Sequence, residues 1–473
     1  MASNILPQKS PCRWQAGWYQ VDITPPLGVW MSGFGLRYKG AEGVLDPLYA
    51  TAMVFDDGQT QAAIVSCDLL CLDAGDAAQI RLSIAEKTGI PPEQIIIHTT
   101  HTHSGPLTST FHGFGSRDAA YDSVLQRQIV SAVVLARQRL QPVSLTYGEA
   151  LAPIGINRRE QRGGNVVIGE DNTGLVDPRA VVIGVWPADT AGNSGAQATD
   201  HTVDAERGVE AEKEPLEPLA MILWAAVHPV ILGGSNYLLS RDFPGFAAAR
   251  LKKTLPGTLC LYTSGPCGDV NPIRMREPNR IESARYIGNL LAASALTALT
   301  KGTPLTGEGI RAARHFIRVP LGPLPPLAEI RKEAAQIRRE IVAAGIDVEN
   351  RLALNIYLEW AKDAEAAVKE WAGSAASLLD LSKPSIMLHD DFEAELQAIA
   401  IGDLVFTAFP FETFVSYQNE AAQRVPEGKK VLVLGCANGD YGYLPDEAGF
   451  AKGGYEVNGL AYKLYGLQPL SPA

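Results

Sequence analysis

The chain of 473 residues lacks the features that define secreted disulfide scaffolds, metal clips and membrane proteins. Its six cysteines include no C-x-x-C pair, which favours reduced thiols over a disulfide framework or a structural zinc clip. No run of 18 apolar residues occurs, so the sequence predicts no membrane span. The first ten residues lack the apolar core of a signal peptide, and we therefore expect a cytoplasmic protein.

Basic residues are also scarce, since 41 Lys and Arg stand against 52 Asp and Glu and give a net charge of -11. Binding to a phosphate backbone requires a basic surface, so this balance argues against nucleic acid as the main partner. We expect a small-molecule partner instead. The sequence does not decide between a monomer and a homo-oligomer.

The chain does have ample material for a core, because 46% of its residues are hydrophobic. Apolar runs of strand length alternate with segments of helical periodicity, which predicts a single α/β domain over 1–473, with a mixed β-sheet flanked by helices. Residues 190–217 are small or charged, which predicts a flexible loop insertion. Residues 325–379 are rich in Ala, Glu, Lys, Arg and Leu at helical spacing, which predicts a helical hairpin insertion.

Histidine is rare, with eight residues in the chain, and three of them occur in one segment. The run Q-I-I-I-H-T-T-H-T-H-S-G-P occupies residues 94–106, and its isoleucines predict a strand buried on both faces. In an extended chain His101 and His103 would point to one side and His98 to the other. Strand exits of α/β sheets carry ligand sites, and imidazole is the commonest protein ligand for zinc. Hydrogen-bonded polar residues on a loop are the alternative interpretation.

Other reactive side chains follow apolar strands elsewhere in the chain. His228, Glu412 and Tyr443 each come after such a run, and together with His101 they could meet at the exits of one sheet. Two imidazoles and one carboxylate form a zinc set with a position open for water, and a phenolate could be a further ligand. Zinc bound in this way lowers the pKa of its water to about 7. Since no short signature such as H-E-x-x-H occurs, spacing alone does not select these residues.

Several motifs occur in the order typical of one enzyme family. The sequence resembles the catalytic domain of the neutral, or neutral/alkaline non-lysosomal, ceramidases, which are zinc-dependent amidases. T-H-T-H-S-G-P at 100–106 is the most specific match, and the resemblance spans most of the chain outside 190–217. The weaker matching segments are A-G at 16–17, D-I-T-P at 22–25, I-N-R at 156–158, A-V-H-P at 226–229, G-D-V-N-P at 268–272, P-F-E at 410–412 and the region of Tyr443.

The resemblance implies a set of site residues. It makes four residues the zinc ligands, with Tyr441 as the alternative for the last of them: His101, His228, Glu412 and Tyr443. It implies that His103 and Arg158 face the bound substrate, where fixed donors would stabilise an oxyanion. The implied activity is hydrolysis of a non-peptide C-N bond, such as an N-acyl amide or a lactam, by zinc-bound hydroxide.

The chain departs from the family pattern at three points. Asn271 stands where the ceramidases have a serine, and an amide can position substrate but cannot be a nucleophile of that kind. Cys267 lies on the same turn, but no neighbour in the sequence suggests a lowered thiol pKa. Phe411 replaces the usual glycine before the metal-binding glutamate. The sequence also ends soon after Tyr443, without the length for the immunoglobulin-like domain of the ceramidases.

These departures make a smaller soluble amide a better expected substrate than ceramide. Two alternatives remain open at this point. A zinc esterase or lactonase could use the same residues, because an ester has the better leaving group. A non-catalytic ligand-binding protein could have kept the scaffold and lost the chemistry together with the serine.

Overall fold

The computed structural model describes residues 14–35, 37–188, 217–343, 348–371, 389–466 and 468–472. The predicted insertion at 190–217 lies outside the described residues except for its last one. The helices of the described part are α1 Ala74–Thr88, α2 Ala119–Arg137, α3 Phe243–Thr254, α4 Arg280–Thr300, α5 Leu327–Ala343, α6 Val348–Trp371, α7 Ser416–Arg424, α8 Glu447–Lys452 and α9 Ala461–Leu464. A short 3-10 turn, Pro92–Gln94, precedes β5.

The strands of the described part belong to five sheets. Their bounds are β1 Trp14–Asp22, β2 Gly43–Val44, β3 Tyr49–Asp56, β4 Gln61–Cys67, β5 Ile95–Thr99, β6 Gln141–Leu151, β7 Gly155–Arg162, β8 Asn165–Asp171, β9 Arg179–Pro187, β10 Ala220–Ala225, β11 Leu238–Leu239, β12 Leu259–Ser264, β13 Val270–Pro272, β14 Thr303–Pro304, β15 Ile310–Pro320, β16 Asp391–Ile401, β17 Leu404–Ala408, β18 Glu412–Thr413, β19 Lys430–Leu434 and β20 Tyr443–Leu444.

The largest sheet has nine strands in the order β12-β10-β9-β6-β1-β3-β4-β5, with β14 paired to β6. The outermost pair at each end of this sheet is parallel, namely β4 with β5 and β10 with β12. The pairs between them are antiparallel. The mixed sheet flanked by helices is the predicted α/β class. Both parallel pairs deliver their strand exits to the side of the fold that carries the histidines.

Strands at the β5 end of this sheet are buried on both faces, as the three isoleucines predict. Ile96 belongs to the core shared with the second sheet, whereas Ile95 and Ile97 belong to the core under α1 and α2. The same alternation separates Phe55 from Val54 on β3. A period of two with both faces covered favours apolar residues along most of such a strand. In β5 the first imidazole, that of His98, comes after the three isoleucines and is itself buried.

A second, four-stranded sheet has the order β15-β16-β17-β19 and packs against the first one through a common core. Trp224 of β10 donates from Nε1 to the carbonyl of Val433 on β19 at 2.9 Å. The backbone of Asn438, in the turn after β19, donates to the Ile97 carbonyl at 2.7 Å, and its side-chain oxygen accepts from the Ile97 amide at 2.9 Å. These bonds place the segment after β19 against the exit of β5.

The sequence around the adjacent arginines at 158 and 159 predicts a loop over residues 154–159, and this prediction is wrong. Most of that segment is the first half of β7, which pairs with β8 on one side and with the short strand β13 on the other. The hairpin of β7 and β8 has few large apolar residues, so it lacks the alternation by which strands are predicted. Its placement instead comes from pairing with β13, far away in the chain.

Helices α5 and α6 pack on each other within the region predicted as a helical hairpin. Trp360 is fully buried in the cluster between them, with Ile330 and Tyr357. Residues 344–347 and 372–379 of the predicted hairpin lie outside the described residues. Among the described residues, no helix combines the length and apolar composition that crossing a membrane requires.

Candidate metal centre

The histidine segment leaves the strand geometry directly after β5. His101 has a φ of 62°, a left-handed conformation that costs a residue other than glycine about 1–3 kcal/mol. The resulting turn brings the rings of His101 and His103 together, with centroids 5.0 Å apart. His98 lies apart from them as a structural residue, because its ring contacts the Ser66 hydroxyl and accepts from the Ser264 amide. His98 is therefore separated from His101 and His103, as predicted. A turn produces this separation, whereas the prediction assumed an extended chain.

Three other segments converge on this turn. His228 follows β10, and its ring centroid lies 4.6 Å from that of His101 and 5.1 Å from that of His103. Glu412 begins β18, which pairs in parallel with β20 so that it lies opposite Tyr443. The amide of Gly268 donates to the Thr413 carbonyl at 2.9 Å and ties β18 to the turn before β13.

Each of the three converging imidazoles is oriented by a backbone carbonyl. The Nδ1 atoms of His101, His103 and His228 lie 2.9, 2.7 and 2.8 Å from the carbonyl oxygens of residues 70, 33 and 267, respectively. A carbonyl only accepts, so Nδ1 carries the hydrogen in each ring and the neutral imidazole keeps its lone pair on Nε2. This is the orientation that metal-binding histidines usually have.

The atoms that face one another at the centre have no hydrogen-bond partner. These atoms are Nε2 of all three histidines and Oε2 of Glu412, and all of them are buried. Oε2 lies 3.2 Å from Nε2 of His101 and 3.4 Å from Nε2 of His228. Zinc bonds of about 2.0–2.1 Å in a tetrahedron separate two ligand atoms by about 3.3 Å, so these residues fit a zinc ion.

Charges inside the centre set its protonation in the absence of metal. Burial acts to raise the pKa of Glu412, but His101 and Arg158 outweigh it and hold that pKa below its usual value. Burial also opposes the charge of His101, but nearby Glu412 raises the pKa of this imidazole overall. Burial lowers the pKa of His103 and of His228 well below the usual value. These two imidazoles are therefore neutral, as metal ligands and proton acceptors must be.

A second group with possible ligand atoms adjoins the first one. His101, Cys436 and Asp440 offer atoms within 4.8 Å of one another. Cys436 reaches His101 at Nδ1, 3.3 Å away, and that nitrogen already donates to a carbonyl. Burial raises the pKa of Asp440 to about 8 and that of the Cys436 thiol well above its usual value. Cys436 meets His101 on a nitrogen that is already occupied, whereas Glu412 faces the free Nε2, so the set with Glu412 is the better candidate site.

Tyr443 and Arg158 form the wall next to Glu412. The guanidinium of Arg158 lies over the Tyr443 ring, 5.2 Å from its centroid. Arg158 is buried and donates from Nε to Glu456 at 2.9 Å, and its Nη2 has no hydrogen-bond partner. Tyr441 lies elsewhere, with its ring 4.9 Å from Phe392 and 5.7 Å from Phe411. Burial raises the pKa of Tyr443 well above its usual value, so its hydroxyl keeps its proton in the absence of metal, and position alone favours Tyr443 over Tyr441 as a candidate ligand.

Asn271 and Cys267 lie on the segment 267–271. Its backbone carbonyls accept hydrogen bonds from the amides of both His228 and Arg158. The Val270 carbonyl accepts from the His228 amide at 3.1 Å, and the next residue, Asn271, is buried with its side-chain oxygen unpartnered. Burial raises the pKa of the Cys267 thiol far above its usual value, so this residue is not an activated nucleophile. Phe411 is fully buried in an apolar cluster with Phe392 and Tyr441.

Three residues at the site were missed from the sequence. Glu456 accepts from Arg158 and from Arg159, Phe34 lies with its ring 5.1 Å from that of His103, and Tyr465 donates to Glu412 at 2.6 Å. None of them lies in a motif of the family or at the end of an apolar strand. No signal in the sequence pointed to them.

The fold and the site together define an α/β protein with a buried histidine and carboxylate centre at its strand exits. No family model matches the sequence. The crystal structure of neutral ceramidase from Pseudomonas aeruginosa is similar, with a TM-score of 0.66 and 18% identity over 95% of this chain and 71% of that one. A structure described as ceramidase complexed with C2 has a TM-score of 0.68 and 19% identity over 95% and 72% of the two chains. The chain therefore has the neutral ceramidase fold that the sequence resemblance implied.

Proposed function

We propose that the protein is a zinc-dependent hydrolase of non-peptide C-N bonds, such as those of N-acyl amides or lactams. The observation that carries this proposal is the convergence of Oε2 of Glu412 with Nε2 of His101 and His228 at 3.2 and 3.4 Å, all without hydrogen-bond partners. Buried polar atoms without partners are costly in a folded protein, and a bound cation would satisfy them. The similar solved structures are named as ceramidases, which cleave an amide, and this supports the choice of bond.

His101, His228 and Glu412 would hold the ion, with Tyr443 next to Glu412 as the fourth candidate ligand. When bound, zinc supplies a Lewis acid for the carbonyl oxygen and lowers the pKa of water to about 7. The carbonyls behind His101 and His228 keep both rings turned with Nε2 toward the centre. The protein thus presents lone pairs without first having to reorganise.

His103 and Arg158 would act on the substrate. The expectation that His103 donates to the oxyanion does not fit its ring, because Nδ1 donates to the Gly33 carbonyl and Nε2 carries the lone pair. We propose instead that Nε2 of His103 accepts the proton that the attacking water loses. The imidazolium then donates that proton to the leaving nitrogen, which departs as an amine. Nη2 of Arg158 is a buried donor without a partner and would stabilise the negative oxygen of the tetrahedral intermediate. The unpartnered side-chain oxygen of Asn271 would position the substrate.

His101→Ala tests the metal and the chemistry together. We expect this variant to lose both bound zinc, measured by elemental analysis, and turnover of short-chain N-acyl p-nitroanilides. The control is His315→Ala, which removes an exposed imidazole from β15 and should change neither. A zinc-replete and active His101→Ala variant would overturn the proposal.

Matched amide and ester substrates separate the proposed activity from that of a zinc esterase or lactonase. We expect p-nitroanilides and p-nitrophenyl esters with the same acyl chain both to be cleaved in a zinc-dependent manner. Cleavage of the ester alone would make the protein an esterase. A chain that binds no zinc and cleaves neither would be a ligand-binding protein. A soluble small amide as substrate and a cytoplasmic location remain predictions from the sequence.

A further inference from the structure

Tyr465, just after α9, contacts the metal centre from outside the matched motifs. Its hydroxyl donates to Oε1 of Glu412 at 2.6 Å. The other oxygen of that carboxylate, Oε2, is the one that lies between His101 and His228. The two oxygens of Glu412 therefore have different environments, since Oε1 accepts a hydrogen bond from Tyr465 and Oε2 faces the imidazoles.

The ring of Tyr465 is fixed on two sides. It packs against the ring of Phe111 in a T-shaped contact, with a centroid distance of 5.2 Å and an interplanar angle of 89°. On the other side it lies against the turn at Gly442, where φ is 90° and an added Cβ would come within 2.9 Å of the ring. The hydroxyl also lies 3.5 Å from Oδ2 of Asp440. Packing on Phe111 and the close approach of the backbone at Gly442 therefore hold the Tyr465 ring in the position from which it binds Glu412.

We propose that Tyr465 is a positioning residue that engages Oε1 of Glu412, so that this carboxylate offers a single oxygen, Oε2, to the metal. This inference rests on the proposed function, because it requires a metal at the centre. The hydrogen bond on Oε1 opposes rotation of the carboxylate away from the imidazoles and competes with binding of the ion through both oxygens. Partners of this kind orient metal ligands, and their loss typically weakens metal binding by about 10–100-fold.

Tyr465→Phe removes the hydroxyl and keeps the ring that packs on Phe111. We expect its dissociation constant for zinc, measured by competition with a chromogenic chelator, to rise by about 10–100-fold relative to the wild type. The matched control is Tyr121→Phe, which loses a hydrogen bond of the same 2.6 Å length, to the carbonyl of Ile23 in another part of the fold. The control should bind zinc as the wild type does. Equal weakening in both variants would mean a general loss of stability and would overturn the inference.

Cobalt substitution gives a readout that a general loss of stability would not produce. The visible absorption of bound Co²⁺ weakens when its coordination number rises, which happens if Glu412 binds through both oxygens. We expect a changed visible spectrum in Tyr465→Phe and the wild-type spectrum in Tyr121→Phe. If the wild type binds zinc and Tyr465→Phe matches it in both affinity and spectrum, the inference fails while the proposed function stands. If the wild type binds no zinc or cobalt, both fail.

Discussion

Arg158 donates from Nε to Oε1 of Glu456 at 2.9 Å, and this pairing keeps the Nη2 atom of the arginine buried without a partner. Glu456 also binds Nη1 of Arg159, whose Nη2 donates to the carbonyls of Gly449 and Gly453. A carboxylate shared by two buried guanidinium groups restricts the orientation of both. One donor of Arg158 therefore remains available to a ligand beside Tyr443.

We predict that Arg158→Lys lowers the kcat for the p-nitroanilide substrate by about 10²–10³-fold, the usual effect of losing one oxyanion donor. Lysine carries its three N–H donors on one nitrogen, so it does not reproduce the separate positions of Nε, which binds Glu456, and Nη2, which would face the substrate oxygen. The control is Arg162→Lys, an exposed position on the same strand, and its kcat should not change. An unchanged kcat in Arg158→Lys would exclude the arginine from transition-state stabilisation.

Asn271→Ala should raise KM for the same substrate by up to about tenfold, because one hydrogen bond contributes roughly 0.5–1.5 kcal/mol. The enzyme should remain active, since we expect water and not a side chain to attack the carbonyl. Steady-state kinetics measure KM, and mass spectrometry of the intact protein during turnover should show no acyl adduct. An adduct on the turn at 264–272 would contradict direct attack by water.

Gly268→Ala should displace Glu412 and destabilise the protein. A Cβ at this position would lie 2.4 Å from the Glu412 carbonyl oxygen, and relieving such a clash typically costs about 1–3 kcal/mol. We expect a lower melting temperature together with a lower zinc content. The comparison is Gly75→Ala in the first turn of α1, where nothing lies within 4 Å of the added Cβ and stability should be kept or improved. Retained zinc and an unchanged melting temperature in Gly268→Ala would contradict the close approach.

The metal-free protein should become less stable as the pH rises, and part of this loss should depend on Asp242. Burial raises the pKa of this carboxyl from its usual 3.8 to about 7. The folded chain then holds the proton more tightly than the unfolded chain, so the contribution of Asp242 to stability decreases as pH rises from about 4 to about 7. Urea unfolding at pH 5 and pH 8 measures this, and Asp242→Asn should show a smaller loss than the wild type. An equal loss in both would contradict the shifted pKa.

Local patterns in the sequence were enough to predict the strands that carry the histidines and most of the helices. The isoleucines of β5 are apolar and β-branched on both faces, so their burial is determined by residue type within a few positions. The same holds for α2 and α4, whose apolar positions recur at helical spacing. The interpretation of 154–159 failed because β7 is held by pairing with distant β13, which no local pattern reports.

The candidate ligand set could be proposed in advance only through the family resemblance, because His101 and Glu412 are separated by more than 300 residues. Which atom of each residue faces the centre depends on contacts made after the chain has folded. Carbonyl oxygens behind three imidazoles select Nε2, and the hydroxyl of Tyr465 leaves Oε2 as the free oxygen of Glu412. Hydrogen bonds have direction and a reach of about 3 Å, so they depend on tertiary packing and leave no mark in the periodicity of the sequence.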